Sequence, residues 1–221
     1  MNKPSHEPLL LWVTGRAACG KSTFARIAEE ECRKAMIETL SFCDEKFMLQ
    51  IIEEDKAHEH HYHPYDDERF LFKSNYPFDE GIHRISTQLK QLLQEKPKKP
   101  LVAIVELARG RCSGIMNFSF ERALSLIDLE VIQRSHFYYL HSSWEQQVER
   151  NRAREQDGQP HPPEFLLREL YSEDDFDYAA GQISFEVVEN HGDLEVLQAD
   201  VRLRIQEAIA PLLHSQVQNP R

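Results

Sequence analysis

The chain has few of the features that are typical of exported proteins, of membrane proteins or of proteins stabilised by structural metal ions. Its four cysteines lie far apart, and no C-x-x-C pair occurs among them. This spacing argues against a disulfide framework and against a zinc ribbon. The N-terminal segment is polar, and the apolar run that follows it is too short for a signal sequence or a membrane span. We therefore expect a cytoplasmic protein without membrane contact.

Positive charge is also scarce. The chain has 26 Lys and Arg residues against 37 Asp and Glu residues, which gives a net charge of −11. A long polyanion such as DNA or RNA is therefore excluded as an expected partner, whereas a small phosphorylated ligand needs only a local cluster of cations. A length of 221 residues suits one core, so we expect a single domain over residues 1–221. The sequence is also compatible with a homodimer.

The most specific pattern in the chain begins at residue 15. Residues 15–22 read GRAACGKS and match the phosphate-loop pattern G-x-x-x-x-G-K-[ST]. The apolar run 9–13 predicts a buried strand before the loop, and apolar residues at helical spacing predict a helix after it. This strand, loop and helix context favours a nucleoside triphosphate site over a chance Gly-Lys-Ser turn.

The residue types of this loop have a chemical reason. Gly15 and Gly20 allow backbone N–H groups to wrap a polyphosphate at the positive end of the following helix. Lys21 is expected to reach the terminal phosphates and to be catalytic, Ser22 to hold a bridging Mg²⁺, and Thr23 to support the loop. The predicted nucleotide-binding residues of the loop are Gly15, Arg16, Ala17, Ala18, Cys19, Gly20, Lys21, Ser22 and Thr23.

Apolar runs alternate with helical patterns along the rest of the chain. The later strands are predicted at residues 37–42, 101–105, 136–140 and 183–188. Ser142 and Glu145 have the spacing of a capping box, which predicts the start of a helix. Short apolar strands that alternate with helices indicate an α/β fold whose parallel sheet is covered on both faces. Ligands of such folds bind at the carboxyl ends of the strands.

Polar side chains follow the second and third predicted strands. Asp44 is placed to accept a proton from a substrate hydroxyl beside a magnesium-bound phosphoryl donor, or to cap a helix that begins at Glu45, and both roles can coexist. Glu106 and Arg109 are predicted to bind the acceptor, as is Asp44. Asp44 and Glu106 are further candidate ligands for the Mg²⁺ held by Ser22. The alternative for Glu106 and Arg109 is a structural ion pair between them.

An arginine-rich segment follows the fourth predicted strand. Arg150 and Arg154 share one face of a helix, and we predict that both are catalytic residues that close over the transferring phosphoryl group. Arg152 points elsewhere on an ideal helix. The alternative is a solvated face on which these arginines pair with Glu149 and Glu155.

Two further segments carry polar residues in unusual density. Residues 58–63 read HEHHYH, which suggests a metal site, but the spacing matches no named zinc motif and we favour an exposed loop. Residues 190–193 follow the fifth strand and are predicted to form a turn with Asp193 as the helix cap. His191 and Gly192 of that turn are candidate nucleotide-binding residues.

With these features the chain resembles the P-loop kinases of small molecules over nearly its whole length. This group includes nucleoside and nucleoside monophosphate kinases, chloramphenicol phosphotransferase, and shikimate and gluconate kinases. The resemblance implies a five-stranded parallel sheet in the order 2-3-1-4-5 between helices, a helical lid, ATP as phosphoryl donor and Mg²⁺ as cofactor. It also implies that Asp44 is the hydroxyl-activating carboxylate, that Arg150 and Arg154 are lid arginines, and that residues 190–193 border the adenine.

The expected function is phosphoryl transfer from ATP to a small-molecule acceptor, with nucleosides or nucleoside monophosphates favoured. An antibiotic kinase or a sugar or metabolite kinase is the alternative. The third strand lacks the Asp-Gly-Phe-Pro signature of adenylate kinases. A GTPase switch is disfavoured because no N-K-x-D segment occurs, and a non-catalytic sensor is disfavoured because Lys21, Ser22 and Asp44 are intact.

Two segments and three arginines are assigned to the acceptor and lid. Residues 53–77 are expected to be a mobile insertion on the acceptor side, and residues 150–178 are expected to form the lid. Arg69, Arg84 and Arg109 would suit the phosphate of a monophosphate acceptor, with ordinary surface charge as the alternative.

Overall fold

The computed structural model describes residues 6–55, 61–64, 70–110, 117–159 and 161–217. The strands are β1 (Leu9–Gly15), β2 (Glu38–Cys43), β3 (Tyr62–Pro64), β4 (Phe70–Phe72), β5 (Leu101–Ala108), β6 (Ser135–His141) and β7 (Phe185–Glu189). The helices are α1 (Lys21–Lys34), α2 (Asp44–Asp55), α3 (Tyr76–Glu95), α4 (Phe120–Ser125), α5 (Leu129–Gln133), α6 (Trp144–Gln156), α7 (Glu164–Tyr171), α8 (Phe176–Ala180) and α9 (Leu194–Val217). None of these helices is both long enough and apolar enough to cross a membrane.

Five strands form one parallel sheet in the order β2-β5-β1-β6-β7. Counted along the chain, this is the predicted order 2-3-1-4-5, which is therefore confirmed. The register aligns Gly15 with Ala108 and Cys43 with Glu106, so β1, β2 and β5 end at the same edge of the sheet. The residues that follow these strands are thereby brought together.

The sheet is buried because helices cover both of its faces. Leu10, Leu11, Trp12 and Val13 of the central strand β1 are fully buried, as expected of a continuous apolar run in a parallel sheet. One face packs against α1 and α9, and the other packs mainly against α3, α4 and α5. Trp12 lies on the second face, where its ring stacks on Phe137 with 5.6 Å between centroids.

Helix α6 begins with a capping box, but one residue later than predicted. Ser143 Oγ accepts a hydrogen bond from Gln146 N at 3.2 Å, and Gln146 Oε1 accepts one from Ser143 N at 3.1 Å. Ser142 is buried instead, and its carbonyl accepts hydrogen bonds from Gln147 Nε2 at 2.9 Å and from Arg16 Nη2 at 3.1 Å. The prediction failed because adjacent serines satisfy the same spacing rule.

The His-rich segment is not simply an exposed loop. Its described part enters the antiparallel hairpin of β3 and β4, and Tyr62 is buried. His61 stacks on Tyr76, and its Nδ1 lies 3.1 Å from Ser74 Oγ. Residues 58–60 lie outside the described ranges. Within those ranges, no group of three or more His, Cys, Asp or Glu side chains could hold a metal ion.

Candidate active site

The loop between β1 and α1 has the backbone shape that its glycines predict. Gly15 has a φ of 144° and Gly20 a φ of 109°, both in the range that L side chains rarely adopt. A Cβ atom on Gly15 would also lie only 2.7 Å from Leu140 O. Lys21 begins α1, and its Nζ donates to Arg16 O at 2.7 Å. The lysine therefore lies against the loop at the positive end of the helix.

The buried side-chain amide of Asn190 contacts the backbone of this loop. Asn190 Nδ2 donates to Cys19 O at 2.7 Å, and Asn190 Oδ1 accepts from Arg150 Nη2 at 3.0 Å. Arg150 Nη1 donates in turn to Ala18 O at 3.3 Å. Burial lowers the pKa of Arg150. Arg150 and Asn190 therefore fix two carbonyls of the loop, a role that sequence reasoning missed because the partners are far apart in the chain.

Arg16 connects the same loop to the C-terminal end of α7. Its Nη1 donates to Ser172 O at 3.2 Å and its Nη2 to Ser142 O at 3.1 Å. Its Nε lies 3.5 Å from Asp174 Oδ2. The Arg16 side chain is thus directed toward these partners, so only its backbone is available for the predicted nucleotide contact.

Ser22 and Glu106 meet at the start of α1 and near the end of β5. Ser22 Oγ donates to Glu106 Oε2 at 2.8 Å. A hydroxyl and a carboxylate are oxygen donors of the kind that Mg²⁺ prefers. The two residues therefore fit the predicted magnesium ligands.

Asp44 and Arg109 form an ion pair at the carboxyl ends of β2 and β5. Asp44 Oδ2 accepts from Arg109 Nη1 at 2.6 Å and from Ala108 N at 3.1 Å. Its Oδ1 accepts from Glu45 N at 2.9 Å. Helix α2 begins at Asp44 itself and not at Glu45, and an N-cap side chain would accept from an amide two or three residues on, so this bond is not the capping contact considered from the sequence. The Arg109 side chain is only 2 % exposed, and its guanidinium lies 4.6 Å from the Phe118 ring centroid. Arg109 therefore pairs with Asp44 and not with Glu106, the partner considered from the sequence.

Glu45 is a candidate site residue that sequence reasoning treated only as the residue after the cap. It lines the same cavity as Lys21 and Arg154. Glu45 as a residue is exposed, but desolvation of its carboxylate raises the pKa of Glu45. The adjacent Asp44 charge adds to this, whereas Lys21 and Arg154 oppose it. A carboxylate whose pKa is moved toward neutral pH is suited to proton transfer.

These elements enclose a cavity of about 770 Å³. The charged side chains that line it are Lys21, Asp44, Glu45, Glu106, Arg154 and Glu155. Apolar side chains from α2, β4 and α7 form another part of its wall, namely Met48, Leu49, Phe72, Leu166, Leu170 and Tyr171. The segment that follows α6 borders it through Gly158, Gln159, His161, Pro162 and Pro163. The volume lies within the range of ligand-binding pockets, about 300–1,000 Å³.

The arginines of α6 have different surroundings. Arg154 lines the cavity, whereas Arg150 contacts the phosphate loop. Arg152 binds Glu164 through Nε at 3.0 Å, which confirms that it points elsewhere. The alternative pairing with Glu149 and Glu155 does not account for the contacts of Arg150, since these are made with carbonyl and amide oxygens.

Some residues that the sequence assigned to the site are not among the described residues that line the cavity. Arg84 donates to Glu54 Oε2 at 2.7 Å and to Glu80 Oε1 at 2.8 Å, and it is absent from the described lining. These two ion pairs agree with the alternative that Arg84 is an ordinary surface charge. His191 and Gly192 are likewise absent from that lining, although Asp193 caps α9 as predicted, through a 2.9 Å bond from Glu195 N. Arg69 lies outside the described residues.

No protein-family model matches the chain, and no curated protein matches its sequence. Solved structures match its fold. The protein APE1195 has 11 % identity and a TM-score of 0.55, with 93 % of this chain and 99 % of that chain covered. A sugar kinase from Janibacter sp. HTCC2649 has 13 % identity and a TM-score of 0.50, with 94 % and 95 % covered. Shikimate kinase from Acinetobacter baumannii, in complex with shikimate, has 14 % identity and a TM-score of 0.51, with 92 % and 94 % covered.

At such low sequence identities, the similarity to these solved structures shows a shared fold and no more. The chain has the fold of the P-loop small-molecule kinases, as its sequence pattern indicated. The sheet order and the position of the phosphate loop agree with that fold.

Proposed function

We propose that this protein is an ATP- and magnesium-dependent kinase that transfers the γ-phosphoryl group to a hydroxyl of a small acceptor. Nucleosides and nucleoside monophosphates are the acceptor classes that the sequence resemblance favours. An antibiotic kinase or a sugar or metabolite kinase is the alternative. The kinases of known structure with this fold support the reaction class, but a fold hosts many substrates.

One observation carries this proposal. The phosphate-loop lysine, a hydroxyl–carboxylate pair and three further carboxylates line a single cavity together with an arginine. These are the groups that phosphoryl transfer requires, since its catalysis consists mainly of positioning and of charge stabilisation. A simple nucleotide-binding module would not need carboxylates across the cavity from the loop.

The donor side of the reaction rests on the loop and α1. Backbone N–H groups at the start of α1 and Lys21 bind the negative charge of the terminal phosphates. Ser22 and Glu106 would hold Mg²⁺, which when bound neutralises charge on the phosphates and orients them. Arg154 is the described guanidinium on the cavity wall, and it stabilises charge on the transferring group.

On the acceptor side we assign different tasks to two adjacent carboxylates. The two oxygens of Asp44 accept three N–H groups, from Glu45, Ala108 and Arg109. Glu45 lines the cavity and has a raised pKa. We therefore propose that Glu45 accepts the proton of the acceptor hydroxyl, and that Asp44 positions the start of α2. Asp44, the base expected from the sequence, is the competing assignment.

Phosphoryl transfer is tested directly with γ-labelled ATP and Mg²⁺. The acceptor panel contains nucleosides, nucleoside monophosphates, sugars and aminoalcohol antibiotics, and products are separated chromatographically. Lys21→Ala is expected to abolish transfer. Lys46→Ala is the matched control, because Lys46 is exposed on α2 and absent from the described lining. Release of free phosphate without labelled acceptor would favour an NTPase over a kinase.

The assignment of the base is tested by comparing two neutral variants. Glu45→Gln is expected to lower kcat by about 10²- to 10⁴-fold with little change in KM, the usual contribution of a general base. Glu53→Gln on the same helix is the control, because Glu53 is exposed and absent from the described lining. Normal kcat in Glu45→Gln, together with loss in a folded Asp44→Asn protein, would return the role to Asp44.

A further inference from the structure

Tyr171 combines an apolar ring with a hydroxyl group on the wall of the cavity. It is the last residue of α7 and lines the cavity together with Leu166 and Leu170 of the same helix. Tyr171 is only 9 % exposed, so most of its ring is packed inside the protein. Its hydroxyl is therefore a polar group that is set among apolar neighbours.

The Tyr171 hydroxyl makes no hydrogen bond within the described part of the chain. Tyrosines that are this buried usually find a partner for the hydroxyl. Tyr139, a buried tyrosine of β6, donates in this way to Asp174 Oδ2 at 2.5 Å. The Tyr171 oxygen is not one of the enclosed polar atoms either, so it opens onto the cavity that the residue lines. It is thus available to a ligand.

The position of Tyr171 is fixed by contacts on its ring and on its backbone. The Phe118 ring meets the Tyr171 ring edge-on, with 5.4 Å between centroids and an interplanar angle of 87°. Phe118 is itself 3 % exposed and lies 4.6 Å below the Arg109 guanidinium. Arg16 Nη1 donates to Tyr171 O at 3.4 Å and to Ser172 O at 3.2 Å. A hydroxyl held in this way loses little conformational freedom on binding, which favours selective recognition.

The chemistry of a phenol limits what it recognises here. The unperturbed pKa of tyrosine is about 10, so the hydroxyl keeps its proton at neutral pH and can both donate and accept a hydrogen bond. A hydroxyl of the ligand has the same two capacities. An apolar ligand surface would instead cover the Tyr171 hydroxyl without a hydrogen bond, which is costly. Asp44 and Glu45, which line the same cavity, are the groups assigned above to the hydroxyl that is phosphorylated.

We infer that Tyr171 is a specificity-determining residue that binds a second hydroxyl of the acceptor, distinct from the hydroxyl that is phosphorylated. This inference rests on the proposed function. It selects acceptors with two or more hydroxyls, such as free sugars and nucleosides, over alcohols with a single hydroxyl. An analogue that lacks the second hydroxyl leaves the Tyr171 hydroxyl unpaired, and sites of this kind discriminate strongly against such analogues.

The test removes the two hydroxyls separately and together. Tyr171→Phe keeps the ring and its contact with Phe118 but removes the hydroxyl. Each acceptor that is phosphorylated is compared with its monodeoxy analogues in the labelled-ATP assay, for example adenosine with 2′-deoxyadenosine and 3′-deoxyadenosine. We expect Tyr171→Phe to lower kcat/KM for the parent acceptor by about 10- to 100-fold, the usual effect of a buried polar group left unpaired. For the deoxy analogue that lacks the partner hydroxyl, we expect Tyr171→Phe to change kcat/KM by less than about twofold.

Three further measurements separate recognition from structure. Tyr178→Phe is the matched control and should leave all kcat/KM values unchanged, because Tyr178 is 48 % exposed and is not among the described residues that line the cavity. Urea unfolding of Tyr171→Phe should agree with that of the wild type, because its hydroxyl has no described partner to lose. Calorimetry of the parent acceptor, with Mg²⁺ and a non-hydrolysable ATP analogue, should show binding to Tyr171→Phe weakened by about tenfold or more.

Each result has a separate meaning. Equal losses in Tyr171→Phe for the parent acceptor and for all its deoxy analogues would overturn the inference, because they would indicate a structural effect. Unchanged transfer by Tyr171→Phe, or a preferred acceptor with a single hydroxyl, would also overturn it but would leave the proposed kinase activity in place. Transfer to no acceptor, with only free phosphate released, would refute the proposed function and this inference with it.

Discussion

The ion pair between Asp44 and Arg109 gives the sharpest prediction for stability. In Asp44→Asn the side chain keeps its size but loses its charge, so the Arg109 guanidinium stays buried without a counter-ion. The Nη1 to Oδ2 distance is 2.6 Å, and the two side chains are 2 % and 12 % exposed. Water cannot replace the lost partner without a rearrangement of the surrounding chain.

The expected magnitude follows from this burial. Removal of one partner of a buried pair costs about 3–5 kcal/mol, and the partial exposure of Asp44 favours the lower end, about 3 kcal/mol. For a chain of this size, about 3 kcal/mol corresponds to a decrease in Tm of about 6–12 °C. Arg109→Met removes the buried charge itself. We therefore expect the double variant to be no less stable than Asp44→Asn, with a coupling free energy of about 2 kcal/mol.

The assay is urea unfolding of the wild type, both single variants and the double variant, followed by circular dichroism. An Asp44→Asn protein within about 0.5 kcal/mol of the wild type would refute the reasoning, because changes of that size are typical of ordinary surface positions. Additive effects of the two substitutions would also refute it.

Three further predictions concern single positions. The raised pKa of Glu45 means that the folded state binds the Glu45 proton more tightly than the unfolded state, so stability falls as pH rises through the folded pKa. Glu45→Gln should therefore raise Tm at about pH 7.5 and leave Tm unchanged at about pH 3.5 in thermal melts. A change in Tm of equal size at both pH values would contradict this. Gly20→Ala places a Cβ 2.5 Å from Asn190 Nδ2 at a φ of 109°, and calorimetry should give ATP binding weaker by at least about tenfold. Gly81→Ala is the control and should bind ATP normally, because its Cβ would make only ordinary contacts, the nearest 3.5 Å from Phe47 Cβ, and Gly81 is absent from the described lining. Gly110→Ala would put a Cβ 2.0 Å from Leu170 O, so it should lower Tm strongly, and a wild-type Tm would show that α7 can move aside.

The elements of the fold were predictable from local patterns. The run 9–13, the glycine loop and the helical spacing after it predicted β1, the phosphate loop and α1, because each of these signals lies within a few consecutive residues. The sheet order came from the resemblance and is confirmed. The hairpin of β3 and β4 was missed because strands of three residues are too short to show a period.

The contacts within the site were less predictable. The sequence placed Asp44 and Arg109 at neighbouring strand ends, but it did not identify them as partners, since strand position alone does not give the direction of a side chain. The bond from Asn190 to Cys19 joins residues 171 positions apart, and no local pattern marks it. Glu45 was overlooked because its distinguishing property, a raised pKa, depends on neighbours that only the folded chain brings together.

The contacts of Arg16 link the phosphate loop to the part of the cavity wall that α7 forms. Its backbone belongs to the loop proposed to receive the donor, and its side chain holds the end of the helix that carries Leu170 and Tyr171. Under the proposed function, we expect a shift of the loop on donor binding to be transmitted through Arg16 to the wall that receives the acceptor. Coupling of this kind is reciprocal, so the donor must alter the affinity for the acceptor by the same factor by which the acceptor alters the affinity for the donor. Loss of the Arg16 side chain would then separate two binding equilibria that the intact protein joins.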